Sequence, residues 1–312
     1  MYYLNIRDLK CKRSSFEEII AQVKPTVIAL TETHTDDSYD LKIENYVEFP
    51  NHRNKDGGGV VLYVRKELVG VAVEVKQTQE KLESIWVLID NGKIKLRIGV
   101  VYFPQESDQE LKEIYKIIKE QVQRSGENKE AILIMGDFNC KVGSECIVGN
   151  HDKVSRAGKK LIKTAEKEGL VIANSMEKCE GRWTREENNS KSVLDYVLVD
   201  TELAEHIKKF KIYEGNKEIS PFHLKRTGKE VKMVYSDHNP IVLETDLVLK
   251  QITTEEGSKR KILTEEGKEA YRKELEERKI SQRWKDSSCI QETYNSWCKE
   301  VMEVKEKHEQ TR

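Results

Sequence analysis

The stretch Ala131-Ile132-Leu133-Ile134-Met135-Gly136-Asp137-Phe138-Asn139 decides how the rest of the chain is read. Five apolar residues without a charge form a run of strand length, and the glycine that follows marks where it stops. Asp137 and Asn139 then stand two residues apart at the C-terminal end of that strand, where open α/β sheets place their ligands. An Asp-Asn pair after a strand is also a common turn or cap device. The pair therefore acquires chemical meaning only if other strand ends repeat the pattern.

They do repeat it. Strands are expected at 2–6, 26–30, 59–64, 84–89, 95–103, 131–135, 194–199 and 241–249, most of them rich in Val, Ile and Tyr. Asn5 lies inside the first, where an amide is costly to bury without partners. Glu32 ends the second in Leu30-Thr31-Glu32-Thr33-His34. Asp195 heads the apolar run Leu194-Asp195-Tyr196-Val197-Leu198-Val199, and Ser236-Asp237-His238-Asn239-Pro240 leads into the last strand. Isolated carboxylates, amides and one imidazole thus recur at five strands. A hard divalent cation needs oxygen ligands converging from several elements, and histidine beside a carboxylate suits acid-base work near neutral pH. No His/Cys set has zinc spacing, and Gly57-Gly58-Gly59 lacks the Lys-Ser/Thr of a phosphate-binding loop, so Mg²⁺ is the expected cation.

Helices alternate with these strands. Ser14 and Ser15 with Glu17 and Glu18 form two capping boxes ahead of Phe16, Ile19, Ile20 and Val23, and Pro25 ends that helix. Ser107 with Glu110 opens a second helix whose apolar face is Leu111, Ile114, Ile118 and Val122. A third runs from about Arg156 through Leu161 and Ala165 to Gly169. Residues 59–103 read as three strands in a row, as in a meander. The sum is a mixed α/β layered domain, not a purely parallel sheet.

Composition narrows the class. The 312 residues carry 54 Lys+Arg against 55 Asp+Glu, a net charge of −1, with 35% charged and 37% hydrophobic residues. No global basic field exists, so any polyanion contact needs a local patch, a metal ion or both. No run approaches the ~18 apolar residues of a membrane span, and the N-terminus lacks the basic-then-apolar order of a secretory signal. The six cysteines have no CxxC spacing and read as reduced thiols of an intracellular protein. Residues 251–312 hold 14 basic and 14 acidic side chains, a denser charge than the 40 and 41 of the first 250, so a boundary is expected near Leu249. Beyond it, Ile290, Tyr294, Trp297, Val301 and Val304 have the spacing of a short helical seam, giving domains 1–249 and 250–312, the second a charged, mainly helical extension or linker.

In their order, these pieces resemble the endonuclease/exonuclease/phosphatase superfamily, the DNase I-like fold, over roughly residues 1–249. That family has an Asn on the first strand, a Glu in a Q/T-E-T segment, a Tyr in V-Y-x-P, then G-D-F-N, I-D-Y-x-L and a terminal S-D-H. Here they are Asn5, Glu32, Tyr102 in Val101-Tyr102-Phe103-Pro104, Asp137 with Asn139, Asp195, and Ser236-Asp237-His238. Within it, Asn5-Ile6-Arg7-Asp8-Leu9, Trp183-Thr184-Arg185 and Ser192-Val193-Leu194-Asp195-Tyr196-Val197-Leu198 are similar to the endonuclease domain of LINE-type (non-LTR) retrotransposons and host relatives. Arg7 departs from the acid or Asn that many apurinic endonucleases carry there.

The resemblance implies a four-layered α/β/β/α sandwich and a Mg²⁺-dependent phosphodiester hydrolase, Mn²⁺ being a possible substitute, that nicks DNA and leaves a 3′-hydroxyl. It implies Glu32, Asn5 and Asp237 as metal ligands. Asp137 would orient or deprotonate the attacking water, Asn139 would donate to that water or to the phosphoryl group, Tyr102 would hydrogen-bond a phosphate oxygen, and His238, oriented by Asp195, would stabilise the pentacovalent phosphorane or shuttle a proton. Thr184, Ser236, Arg182 and Arg185 are expected to face the substrate. Arg182, Arg185, Lys191, Lys225, Arg226 and Lys229, in 182–191 and 216–232, supply a candidate local rim for DNA. A nuclear location and a reverse transcriptase in cis in a longer parent follow from the same resemblance; no Y/F-x-D-D signature occurs in this sequence. A phosphatase or phosphodiesterase of the same fold acting on RNA, inositol phosphate or lipid stays open, as does an inactive binding protein.

Overall fold

A computed structural model describes residues 1–52, 57–74, 83–104, 108–144, 146–147, 150, 152–187, 190–214, 223–224, 232–233, 236–247, 261–262, 273–274 and 310–311. The chain separates into two compact units, Met1–Gln251 and Ile252–Arg312. In the first unit the elements in chain order are β1 (Tyr2–Asn5), α1 (Leu9–Val23), β2 (Val27–Thr31), β3 (Tyr46–Asn51), β4 (Val60–Arg65), β5 (Ala72–Glu74), β6 (Ser84–Asp90), β7 (Lys95–Tyr102), α2 (Asp108–Asn128) and β8 (Ala131–Asp137). There follow α3 (Arg156–Lys167), β9 (Leu170–Ile172), β10 (Cys179–Glu180), β11 (Arg185–Glu187), β12 (Ser190–Ser192), β13 (Asp195–Asp200), α4 (Thr201–His206), β14 (Ile207–Ile212), β15 (His223–Leu224), β16 (Lys232–Met233) and β17 (Ile241–Thr245).

Two mixed sheets result. One has the order β10-β14-β17-β1-β2-β4-β3, the other β5-β6-β7-β8-β13-β9. Each has a parallel pair joined by a crossover helix, β1-α1-β2 in the first and β7-α2-β8 in the second. The two-residue period of a strand then builds the layers. Tyr2, Leu4, Ile28 and Leu30 turn outward and pack with Phe16, Ile19 and Ile20 of α1. Tyr3, Val27 and Ala29 turn inward and meet Leu133, Met135, Val197 and Val199 of the second sheet in the central core. Ile132, Ile134, Tyr196 and Leu198 turn to the other side, under Ile114 and Ile118 of α2 and Leu161 and Ala165 of α3. The order of layers is α/β/β/α.

Three local expectations change. The capping boxes at Ser14 and Ser15 lie inside α1, which begins at Leu9 because Asp8 accepts a hydrogen bond from the Cys11 amide at 3.3 Å. The helix does end before Pro25, with Lys24 left-handed. The strands of 59–103 do not form one meander: β4 pairs with β2 and β3 in the first sheet, while β5, β6 and β7 are neighbours in the second. Of the strands in the two sheets, β3, β5, β9, β10 and β14 were not expected. In α3, Ser155 caps the N-terminus and Gly169, at φ 66°, follows its C-terminal end.

Ser107 and the seam from Ile290 to Val304 lie outside the described residues, as do Lys225, Arg226 and Lys229. In the second unit Lys261–Ile262 pairs antiparallel with Gln310–Thr311. Among the described residues no helix is long and apolar enough to cross a membrane, and Cys11, Cys140, Cys146 and Cys179 are unbridged.

Candidate active site

Strand register gathers the polar residues. Asp137 lies opposite Asp195 on β13 and beside Tyr102 on β7, while in the other sheet Asn5 on β1 is beside Thr31 on β2. Asp137 and Asp195 continue the inward-facing positions Leu133, Met135, Val197 and Val199, and Asn5 continues Tyr3. The central core therefore ends, at one rim of the sandwich, in a set of polar groups facing each other across the gap between sheets.

Asn5 is wholly buried, and its Nδ2 donates to Glu32 Oε1 at 2.8 Å and to Asp137 Oδ2 at 3.0 Å. One amide thus joins the two carboxylates. Its Oδ1 is buried with no partner. On the opposite side, His238 Nδ1 lies 2.7 Å from Asp195 Oδ2, and its Nε2 lies 3.9 Å from Asp137 Oδ2. Asp137, Asp195 and His238 are close enough to resemble a cation-binding cluster. The His238–Asp195 bond instead commits that nitrogen and that oxygen to each other.

Electrostatics separates the groups. Burial, reinforced by the Asp195 carboxylate, pushes Asp137 up to about 8. Burial works to lower His238, but the charge and hydrogen bond of Asp195 overcome it and raise the imidazole to about 9. Burial also works to raise Glu32, yet hydrogen bonds from His34, Asn5 and Tyr102 hold it below the usual carboxylate range. Burial and the Glu32 charge push the Tyr102 phenol well up, so it remains a donor to Glu32.

The backbone pays for this convergence in strain. Arg7 (φ 47°), Asp8 (82°), Glu32 (50°), His34 (52°) and Asn139 (44°) are left-handed, a region non-glycine residues rarely occupy. Each turn is pinned from outside: Asp8 N donates to Glu32 O at 2.9 Å, and the amides of Thr33 and His34 donate to the carbonyls of Gly59 and Gly58 at 3.2 and 2.9 Å. Gly57, Gly58 and Gly59 all have φ near +80°, so this glycine run is the prop of the Glu32 turn.

Several expected residues take other positions. Thr184 is fully buried and cannot face substrate; its Oγ1 accepts the amides of Leu194 and Asp195 at 2.9 and 3.0 Å. Ser236 Oγ donates to Asn5 O at 2.6 Å and accepts the His238 amide at 3.1 Å, tying the two motifs together. The Asn139 side chain donates to Phe103 O at 2.8 Å, because its left-handed backbone turns it from the carboxylates, while its amide donates to Asp137 Oδ1 at 2.9 Å. Asp237 Oδ2 accepts from Arg7 Nη1 at 2.8 Å and Arg185 Nε at 2.9 Å. Arg185 also pairs with Glu187, so its charge is matched within the protein. Arg182 is exposed and lies over the Trp183 ring, 5.6 Å from its centroid.

Residues missed in the sequence complete the set. Tyr3 OH donates to Asp195 Oδ1 at 2.7 Å, so both Asp195 oxygens are held. Asn174 donates to Asp195 O at 3.1 Å and accepts the Val197 amide at 3.0 Å, which fixes the start of β13. Neither position carries a signal beyond its residue type.

Comparison with known proteins adds a family and a fold. Residues 3–238 match the model of the Endonuclease/Exonuclease/phosphatase family. No curated protein sequence matches the chain. Among solved structures, the endonuclease domain of TRAS1, a telomere-specific non-LTR retrotransposon, is similar with a TM-score of 0.57 and 16% identity over 79% of this chain and 98% of that one. An AP endonuclease from Archaeoglobus fulgidus gives 0.59 and 16%, covering 79% and 98%. The 3'-5' exonuclease NExo from Neisseria meningitidis gives 0.57 and 16%, covering 78% and 98%.

Proposed function

The chain belongs to the endonuclease/exonuclease/phosphatase family, and from that membership we propose that it is a divalent-cation-dependent DNA endonuclease of the retrotransposon type, cutting a phosphodiester to leave a 3′-hydroxyl. Hydrolysis of phosphate esters is the chemistry of the family as a whole. The single observation that supports cation-dependent hydrolysis at this site is the Asn5 amide bridging Glu32 and Asp137, with the His238–Asp195 pair facing the same Asp137 oxygen.

The donor set fits a hard cation. Glu32 is held ionised, and beside it Asn5 Oδ1 is a buried acceptor with no partner. Glu32 and Asn5 would hold Mg²⁺, or Mn²⁺ in its place. Such an ion, when bound, offsets charge that develops on the phosphate and leaving oxygen. Asp137, whose carboxyl burial raises to about 8, accepts the proton of the attacking water in its ionised form, in which it is a stronger base than an ordinary carboxylate. His238 is kept as an imidazolium by Asp195, so it donates to a phosphoryl oxygen and stabilises the pentacovalent state. Tyr3, Thr184 and Asn174 hold Asp195, and through it the ring.

DNA as substrate, and the retrotransposon type, rest on the similarity of Trp183-Thr184-Arg185 and the segment from Ser192 to Leu198 to that branch. With a net charge of −1, affinity for DNA comes from a local rim that includes exposed Arg182 and Lys191. The test is supercoiled plasmid with Mg²⁺, with and without chelator, followed by primer extension from the nicks by a DNA polymerase. Nicks that need the cation and extend directly support the reading. Phosphate release from small phosphomonoesters with intact plasmid would replace it with the phosphatase reading.

A further inference from the structure

Asp237 differs from the other site carboxylates in what faces it. Two guanidinium groups converge on its Oδ2, Arg7 Nη1 at 2.8 Å and Arg185 Nε at 2.9 Å, and its side chain is only 11% exposed. Both arginines are placed by backbone. Arg7 follows Asn5 by two residues in the strained left-handed turn, and its carbonyl accepts from the ammonium of Lys12, a lysine 4% exposed on α1. Arg185 opens β11, and the next amide, of Glu186, donates to Asp237 O at 2.8 Å. Arg7 is also near enough to Glu32 for that carboxylate to act on it.

Two sides of the site therefore differ in charge. Toward Glu32 and Asn5 stand two hard oxygen donors. Toward Asp237 stand two guanidiniums that cannot lose their protons, and Glu187, which pairs with Arg185 and lies 3.8 Å from Arg7, completes the cluster. A divalent ion bound to Asp237 would have to approach both. The remaining oxygen, Oδ1, is buried without a partner; it can accept from a water, but the charge of the carboxylate is already matched.

Building on the function proposed above, we propose that Arg7 takes the place of a second cation at Asp237, so that the site binds one divalent ion, held by Glu32 and Asn5 and not by Asp237. Arg7 is then a positioning residue, and Asp237 is the anchor of an internally paired cluster with Arg7, Arg185 and Glu187. Counting bound ions tests this without reference to turnover. Mn²⁺ binding to the full chain, followed by its free-ion electron paramagnetic resonance signal, should show one ion per chain for wild type and for Arg7→Lys, and two for Arg7→Asp. Glu32→Gln should weaken the single ion by at least the roughly 10- to 100-fold that loss of a supporting partner costs a metal site, whereas Asp237→Asn should change it far less. Thermal unfolding of each variant is recorded alongside, and Arg185→Gln serves as a second route to releasing Asp237.

Two ions bound by wild type, one ion still bound by folded Arg7→Asp, or equal losses in Glu32→Gln and Asp237→Asn would each overturn the proposal. Wild type that binds no Mn²⁺ would overturn the cation-dependent function as well, which separates the two failures.

Discussion

Thr184→Val replaces a hydroxyl with a methyl of nearly the same shape at a position with no solvent exposure. The hydroxyl accepts two buried amides, those of Leu194 and Asp195, at 2.9 and 3.0 Å. Valine can accept neither. A buried donor left unpaired costs about 1–3 kcal/mol, so the pair costs about 2–6 kcal/mol, while the added methyl returns only about 0.8 kcal/mol of burial. A net loss of about 1–5 kcal/mol lowers the melting temperature by about 2–20 °C in a domain of this size. Urea unfolding and calorimetry measure it, with Thr184→Ser as the control that keeps the acceptor and recovers most of the loss. Because the Asp195 amide is one of the two, hydrolysis should fall in the valine variant and return in the serine variant. A valine variant with an unchanged unfolding midpoint and only a raised KM would refute this reasoning and return Thr184 to the substrate.

Tyr3→Phe removes the donor to Asp195 Oδ1 and should cost about 1.5–3 kcal/mol, the worth of a hydrogen bond to a charged group; a double-mutant cycle with Asp195→Asn should show the two coupled. Arg97 and Glu130 form a 2.7 Å pair with side chains 5% and 4% exposed, so Arg97→Met alone should cost about 3–5 kcal/mol, and adding Glu130→Leu should recover most of it in urea unfolding. At Gly136 a Cβ would lie 2.0 Å from the Val101 carbonyl oxygen across the β7–β8 pair, so Gly136→Ala should lose about 1–3 kcal/mol or more and much of its soluble yield. Unchanged yield and melting there would mean that β7 and β8 are not so close.

The sequence displays some of this architecture and hides the rest for physical reasons. Inward-facing Asp137 and Asp195 are legible because a lone acid on an apolar strand breaks its pattern, and the pattern itself states the face. Tyr3 is illegible because a tyrosine in a β-rich run looks like core, and only its partner 192 positions away gives its hydroxyl a role. Strand β14, Ile207-Lys208-Lys209-Phe210-Lys211-Ile212, loses its alternation to an irregularity between Ile207 and Lys209. β3 contains Pro50, which an edge strand tolerates and a sequence pattern counts as a break. The start of α1 is set by Asp8 at φ 82°, a conformation no capping pattern anticipates. The arginines on Asp237 come from the turn after β1 and from β11 and stand 178 residues apart in the chain, so their meeting needs the fold.

The central claim is that Asp137 and His238, drawn together by two facing sheets, perform the hydrolysis. Its most direct measurement is the single-turnover cleavage rate of a DNA duplex with saturating Mg²⁺ by wild type, Asp137→Asn and His238→Gln, each first shown to unfold at the wild-type temperature or above. Each substitution should slow cleavage by about 10²–10⁴-fold, the usual contribution of a positioned acid or base. Cleavage within about tenfold of wild type by either folded variant would contradict the account.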